Sequence, residues 1–151
     1  MAGGEPPVKI VYSNVISVED YNRLRMSAGW KTIEPEQARA GLDGSAFVIA
    51  AKDGDLAVGT GRLVWDGGYG ALIKDVLVLP EYQNMGIGTE IMERILSFLR
   101  QRMKPGWSVS VDLMAASGKE GFYEKFGFAA RPRENRGAGM DLWLTGNGVS
   151  R

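Results

Sequence analysis

The clearest pattern in the chain is a helical one. From Thr89 to Met103, apolar residues fall at Ile91, Met92, Ile95, Leu96, Phe98, Leu99 and Met103, the spacing of a one-sided amphipathic helix. Pro105-Gly106 stops it. The period then changes: Trp107, Val109, Val111 and Leu113 alternate with Ser108, Ser110 and Asp112, which predicts a strand. Before the helix, Ser45–Lys52 and Leu56–Trp65 read as strands joined through Asp53-Gly54, a strong hairpin turn, and Asp66-Gly67-Gly68 turns the chain into a third, Tyr69–Leu79. Strand 69–79, helix 89–103 and strand 107–114 then form a βαβ unit with parallel strands and a right-handed crossover.

The N-terminal part is helical by its caps. Lys9–Ser13 is a short strand. Ser17 with Asp20 three residues on forms a capping box for a helix ending near Gly29. A second helix runs from about Glu34 to Leu42, with Pro35 in its first turn. Beyond the βαβ unit, residues 118–126 predict a short helix burying Phe122 and Phe126 and stopping at Gly127, and 128–132 with 140–144 predict a closing hairpin. The sum is a mixed sheet with helices packed on it, an α/β (α+β) architecture. Residues 1–7 are expected to be a flexible leader, 8–145 a single domain, and 146–151 a flexible tail.

Composition then limits the chemistry. The chain has 151 residues with no cysteine and no histidine. That removes thiolate nucleophiles, Cys-ligated metal sites and the commonest general base, so no metal is expected and catalysis must run on carboxylates, Tyr, Ser/Thr, Lys or backbone groups. Lys+Arg and Asp+Glu are both 18, without the basic excess of a nucleic-acid binder. The stretch Ala46–Ala51 is far too short to span a bilayer, and the start Met-Ala-Gly-Gly-Glu-Pro-Pro does not read as a signal peptide. A soluble, cytoplasmic protein without nucleic-acid or membrane partners is expected.

Three places carry candidate chemistry. In Leu79-Pro80-Glu81-Tyr82-Gln83-Asn84-Met85-Gly86-Ile87-Gly88-Thr89, Pro80 ends a strand and the glycines turn the backbone straight into a helix. Unpaired N–H groups at the positive end of a helix dipole make an anion site. No Gly-Lys-Ser/Thr follows, and Ile91 stands where a dinucleotide fingerprint wants its third glycine. The loops after both parallel strands, Gln83–Thr89 and Met114–Gly118, open on one edge of the sheet, where ligands of parallel sheets bind. Tyr123 follows the second loop, with a boundary tyrosine of the core as its alternative reading. Asp75 lies inside the apolar run Leu72–Val78, where a charge must be paired or used; pairing with Arg62 on the neighbouring strand is the alternative to a catalytic role. Trp30 and Trp65 are either pocket walls or core.

In this order, these residues resemble the GNAT superfamily, the Gcn5-related N-acetyltransferases, over roughly residues 45–144. Gln83-Asn84-Met85-Gly86-Ile87-Gly88 fits the family's Gln/Arg-x-x-Gly-x-Gly/Ala, and Gly121-Phe122-Tyr123-Glu124-Lys125-Phe126-Gly127-Phe128 its later helix-and-turn signature. The resemblance implies a GNAT-like acyl-CoA N-acyltransferase fold, with antiparallel strands followed by a parallel βαβ unit whose strands splay. It implies acetyl-CoA as cosubstrate: Gln83, Asn84, Met85, Gly86, Ile87, Gly88 and Thr89 on its pyrophosphate, and Leu77, Val78 and Leu79 along its pantetheine arm. An N–H near Val78 would polarise the thioester carbonyl. Tyr123, at the family's tyrosine position, would protonate the departing thiolate.

Two departures stand out. Many relatives place Asn seven residues before this tyrosine, where this chain has Ala116, with Ser117 beside it as the replacement contact. Many carry a glutamate base on the strand before the glycine loop; here Lys74 and Asp75 occupy that neighbourhood, making Asp75 the base candidate by proximity, with Glu34, Glu36 or water as alternatives. Acceptor walls in this fold come from Trp30–Glu36 and Arg131–Met140, whose mixed charges select no substrate charge. The expected function is acetyl transfer to a primary amine, a small molecule before a protein or peptide, by direct attack in a ternary complex, since no cysteine is present to carry an acyl group. A non-catalytic acyl-CoA sensor or interaction module is the rival. A homodimer is common among relatives.

Overall fold

A computed structural model describes residues 8–146 and 148–150. The expected leader, residues 1–7, lies outside the described residues, as do Asn147 and Arg151 of the expected tail. The chain resolves into two compact units, dividing between Leu113 and Met114.

The first unit holds a five-stranded sheet in the order β1 (Ile10–Ser13), β2 (Phe47–Asp53), β3 (Leu56–Trp65), β4 (Gly70–Val78) and β5 (Ser110–Leu113). The first four strands pair antiparallel and β4 pairs parallel with β5. This is the mixed sheet expected, with the parallel βαβ unit at its end. Helices α1 (Val18–Ser27), α2 (Pro35–Asp43) and α3 (Ile87–Arg102) complete the unit. The Ser17 Oγ accepts the Asp20 N–H at 3.0 Å, and the Glu34 carboxylate accepts the N–H groups of Glu36 and Gln37. Each cap satisfies donors that a helix start leaves open.

The two faces of the sheet carry different helices. Tyr21 and Leu24 of α1 and Ala38 and Leu42 of α2 form one buried cluster with Ala50 and Leu77 of the sheet. Ile87, Ile91 and Ile95 of α3 instead lie over Gly59 and Gly61, residues whose neighbour Thr60 pairs with Leu77. Successive strand residues point to opposite faces, so α3 covers the face that α1 and α2 do not. The glycines let α3 approach closely: a Cβ at Gly61 would stand 2.7 Å from Ile91 Cγ2.

The second unit is built from α4 (Glu120–Glu124) and a hairpin of β6 (Trp143–Thr145) and β7 (Gly148–Ser150). Residues 128–132 form no strand, and the hairpin pairs 143–145 with 148–150 rather than 140–144 with 128–132, so β7 falls inside the segment expected as a tail. After Phe128, Ala129-Ala130-Arg131-Pro132 offers no run of strand-forming side chains, and Pro132 has no ladder donor. Phe122 and Phe126 are half-buried, their rings edge to face at 5.4 Å. Among the described residues no helix is long and apolar enough to cross a membrane.

Candidate active site

The glycine loop leaves β4 through a single 3-10 turn, Pro80–Tyr82. Two residues then take left-handed backbone, Asn84 at φ 63° and Gly86 at φ 81°, and α3 begins at Ile87, two residues before the apolar stripe alone predicts. Gly86 is the N-cap and has no side chain to satisfy the first turn. The first N–H to bond back is that of Glu90, onto the Gly86 carbonyl at 3.0 Å. The amides of Ile87, Gly88 and Thr89 therefore point out of the helix start, beside an exposed Gln83–Gly86 segment. The Tyr82 hydroxyl donates to the Asp53 carboxylate at 2.5 Å, fixing the turn before the loop to the end of β2, and this hydrogen bond raises the Tyr82 pKa.

The strand feeding this loop has an open edge. β5 pairs only with Gly70–Ile73, ending at Ile73↔Leu113, so Lys74–Val78 has no β5 partner. On its other side β4 stays paired to β3 through Thr60↔Leu77 and Gly59↔Val78. The Leu79 N–H donates to the Val58 carbonyl at 2.8 Å, and alternation along an antiparallel ladder then turns the N–H and C=O of Val78 to the open edge. The Val78 carbonyl is indeed there, accepting the Gln83 side-chain amide at 3.1 Å. The parallel ladder thus stops at the end of β5, four residues into β4, and the rest of β4 is paired on the β3 side.

Asp75 lies at a bulge between these two regions. From Thr60↔Leu77 to Arg62↔Lys74, two steps along β3 match three along β4, and the extra residue leaves Asp75 at φ 57°. Left-handed backbone costs a non-glycine residue roughly 1–2 kcal/mol. The side chain is buried and fully engaged. Oδ1 accepts Arg25 Nη1 at 3.1 Å, and Oδ2 accepts both Arg62 Nε at 2.7 Å and the Tyr21 hydroxyl at 2.6 Å. The neighbouring-strand pairing with Arg62 is thus present, joined by two donors from α1. Burial and the hydrogen bond to Asp75 raise the pKa of Tyr21, so it donates as a neutral phenol.

The remaining predicted residues lie in the second unit or serve the framework. Ser117 is exposed in a turn closed by the Lys119 N–H on the Ala116 carbonyl at 2.9 Å. Tyr123 is half-buried, edge to face with Phe122 at 5.0 Å and with Phe128 at 6.3 Å. Burial raises its pKa, and its hydroxyl makes no hydrogen bond among the described residues. Trp65 donates to the Gly68 carbonyl at 3.0 Å and so closes the β3–β4 turn. Trp30 packs on the α1–α2 cluster with the Arg25 guanidinium 5.3 Å from its ring. A groove of about 370 Å³ between Phe47, Phe98 and Arg102 lies toward the C-terminal end of α3, away from the glycine loop at its start, and is lined by none of the predicted site residues.

Sequence reasoning missed Tyr21, Arg25 and the Gln83–Val78 tie. Arg25 and Tyr21 lie 50 and 54 positions from Asp75, and no local pattern marks them. One signal was available: they stand four apart on a predicted helix, which puts them on one face.

Residues 43–130 match the family model described as "Acetyltransferase (GNAT) domain". Among solved structures, a Staphylococcus aureus protein of unknown function, called a probable acetyltransferase, superposes with a TM-score of 0.76 at 35% identity, covering 88% of this chain and 96% of that one. A GNAT family acetyltransferase of Streptococcus pneumoniae gives 0.70 at 28%, covering 91% and 98%. Among curated relatives, serotonin N-acetyltransferase 2 of rice, a chloroplastic protein, is 32% identical over 130 residues, which is 83% of this chain but 62% of that protein. This chain thus spans somewhat under two thirds of the rice relative's length. With the glycine-capped helix, the short parallel ladder between β4 and β5 and these matches in agreement, the chain belongs to the GNAT family of acetyltransferases.

Proposed function

We propose that this protein transfers an acetyl group from acetyl-CoA to the primary amine of a small molecule, by direct attack within a ternary complex. The observation that carries the reading is the pairing of an open β4 edge with a glycine-capped helix start one turn further along the chain. The outward amides of Ile87, Gly88 and Thr89 suit a pyrophosphate, with Gln83–Gly86 exposed beside them. Leu77–Leu79 suits the amide-bearing pantetheine arm, which would lie along the strand edge as an added strand does. The Val78 N–H, turned to that edge, suits stabilisation of the negative charge that develops on the thioester oxygen during attack.

Proton handling falls to few groups. Tyr123 donates a proton to the coenzyme A sulfur as the carbon–sulfur bond breaks; its raised pKa keeps it protonated at neutral pH. Water takes one proton from the substrate ammonium, so the free amine forms the new carbon–nitrogen bond, and the second proton lost from that nitrogen passes through solvent to restore Tyr123. Asp75 is less suited to that task, because an incoming amine would compete with two guanidinium groups for oxygens already occupied. The chain has no cysteine, so no cysteinyl acyl-enzyme forms. Serotonin, named for the rice relative, is a small primary amine and supports an acceptor of that class.

The test is thiol release from acetyl-CoA over a panel of arylalkylamines, polyamines, amino acids and a lysine-containing peptide. A small amine is expected to give the highest kcat/KM, with intersecting rather than parallel double-reciprocal plots. Preference for the peptide would overturn the acceptor class, parallel plots would overturn direct attack, and coenzyme A binding without turnover would reduce the protein to a sensor.

A further inference from the structure

The bulge in β4 decides which amides face the open edge. Along an antiparallel strand, N–H groups alternate between the two edges, and one inserted residue reverses that alternation beyond it. Without the extra residue at Asp75, Val78 would turn its N–H toward β3, and Leu77 would present its own to the edge where the thioester is proposed to lie. The local sequence does not ask for this bulge, because Val76, Leu77 and Val78 all favour regular extended backbone. What selects it is tertiary.

Tyr21 and Arg25 reach Asp75 from one face of α1, and Arg62 reaches it from β3, where it is paired with Lys74. These donors meet a single carboxylate with the chain at Asp75 in its left-handed conformation, at φ 57°. The same grip extends to the segment between α1 and α2. Arg25 Nε donates to the Lys31 carbonyl at 2.8 Å, and the Trp30 N–H donates to the Arg25 carbonyl at 3.0 Å.

We propose that Asp75 is a positioning residue: gripped by Tyr21, Arg25 and Arg62, its carboxylate locks the β4 bulge in the register that turns the Val78 N–H to the open edge, and ties the Trp30–Lys31 segment to that bulge. The effect on chemistry rests on the acetyltransferase reading given above; the lock itself does not.

The test compares wild type, Asp75→Asn and Tyr21→Phe by hydrogen–deuterium exchange of the full chain and by thiol release across pH. Asp75→Asn is expected to speed exchange in peptides covering 74–79 at least tenfold, while β2 keeps its protection. Its kcat should fall at least tenfold with acetyl-CoA KM changed less than threefold, and the acidic limb of kcat/KM should remain. Tyr21→Phe removes one donor and keeps both ion pairs, so it should give the same pattern more weakly, and it carries the test if Asp75→Asn does not fold. Unchanged exchange over 74–79 in both variants would overturn the lock. Unchanged exchange with loss of the acidic limb would make Asp75 the base instead. If wild type releases no thiol with any amine, the acetyltransferase reading fails while exchange still decides the lock.

Discussion

The side-chain amide of Gln83 donates to the backbone carbonyl of Val78 at 3.1 Å, five residues back along the chain. It joins the proposed phosphate loop to the strand edge proposed to hold the pantetheine arm. In the proposed coenzyme site, this exposed hydrogen bond ties the two halves to each other. Gln83→Ala removes the tie and leaves both backbones in place. A net hydrogen bond is worth about 0.5–1.5 kcal/mol, so KM for acetyl-CoA should rise roughly 3- to 10-fold, with kcat little changed. Steady-state kinetics at saturating amine would show it, and an unchanged KM would make the tie incidental.

Tyr123→Phe tests the proposed acid. The ring contacts with Phe122 and Phe128 do not need the hydroxyl, so the fold should persist. Loss of a general acid costs on the order of 100-fold in rate, which is expected in kcat with the dissociation constant of acetyl-CoA unchanged by calorimetry. An unchanged kcat would leave Tyr123 as a packing residue.

The same tyrosine fixes the sign of an alkaline pH effect. Burial raises its pKa above the ordinary 10.0, so the folded state holds the proton more tightly than the unfolded chain. The stability this contributes is fully present below about pH 10 and is lost as pH rises through the higher folded value. The alkaline limb of wild-type kcat assigned to Tyr123 should accordingly lie above pH 10, and it should be missing in Tyr123→Phe. A wild-type limb near pH 8 would belong to another group.

Gly86 and Gly61 separate two reasons for a glycine. At Gly86 a Cβ meets nothing within 4 Å, but φ is 81°. Gly86→Ala should therefore cost roughly 1–2 kcal/mol of backbone strain, a fall in Tm of about 2–8 °C, together with weaker acetyl-CoA binding.

At Gly61 the backbone carries no such strain, and the obstacle is contact. A Cβ would stand 2.7 Å from Ile91 Cγ2 and 3.1 Å from Ile95 Cδ1, both side chains fully buried. Gly61→Ala should destabilise by about 1–3 kcal/mol through overpacking. Acetyl-CoA KM should stay unchanged in whatever fraction remains folded. Thermal melts with and without coenzyme distinguish the two variants.

What could be read without coordinates was whatever repeats over a short span. Ile91, Met92, Ile95 and Leu99 announce α3 because a helix buries every third or fourth residue. Ser17 announces one helix start because a cap needs an acceptor beside open N–H groups, and Pro35 announces another because a first turn does not need its N–H. The glycine loop was legible for the same reason, since its anion site is made by consecutive backbone atoms. A hairpin over 128–132 does not form, because Ala129-Ala130-Arg131-Pro132 lacks strand formers and Pro132 lacks a ladder donor.

The tertiary structure decided between the two readings of Asp75. A charge inside an apolar run demands a partner, since burying it unpaired is prohibitive, and strand adjacency offers Arg62 as one of them. The other two depend on how α1 lies across β3 and β4, and that packing brings Tyr21 and Arg25 to a carboxylate 54 and 50 positions away. The bulge itself follows from the same contacts. One-residue differences in strand register leave almost no trace in a sequence, yet they determine which amide reaches the open edge.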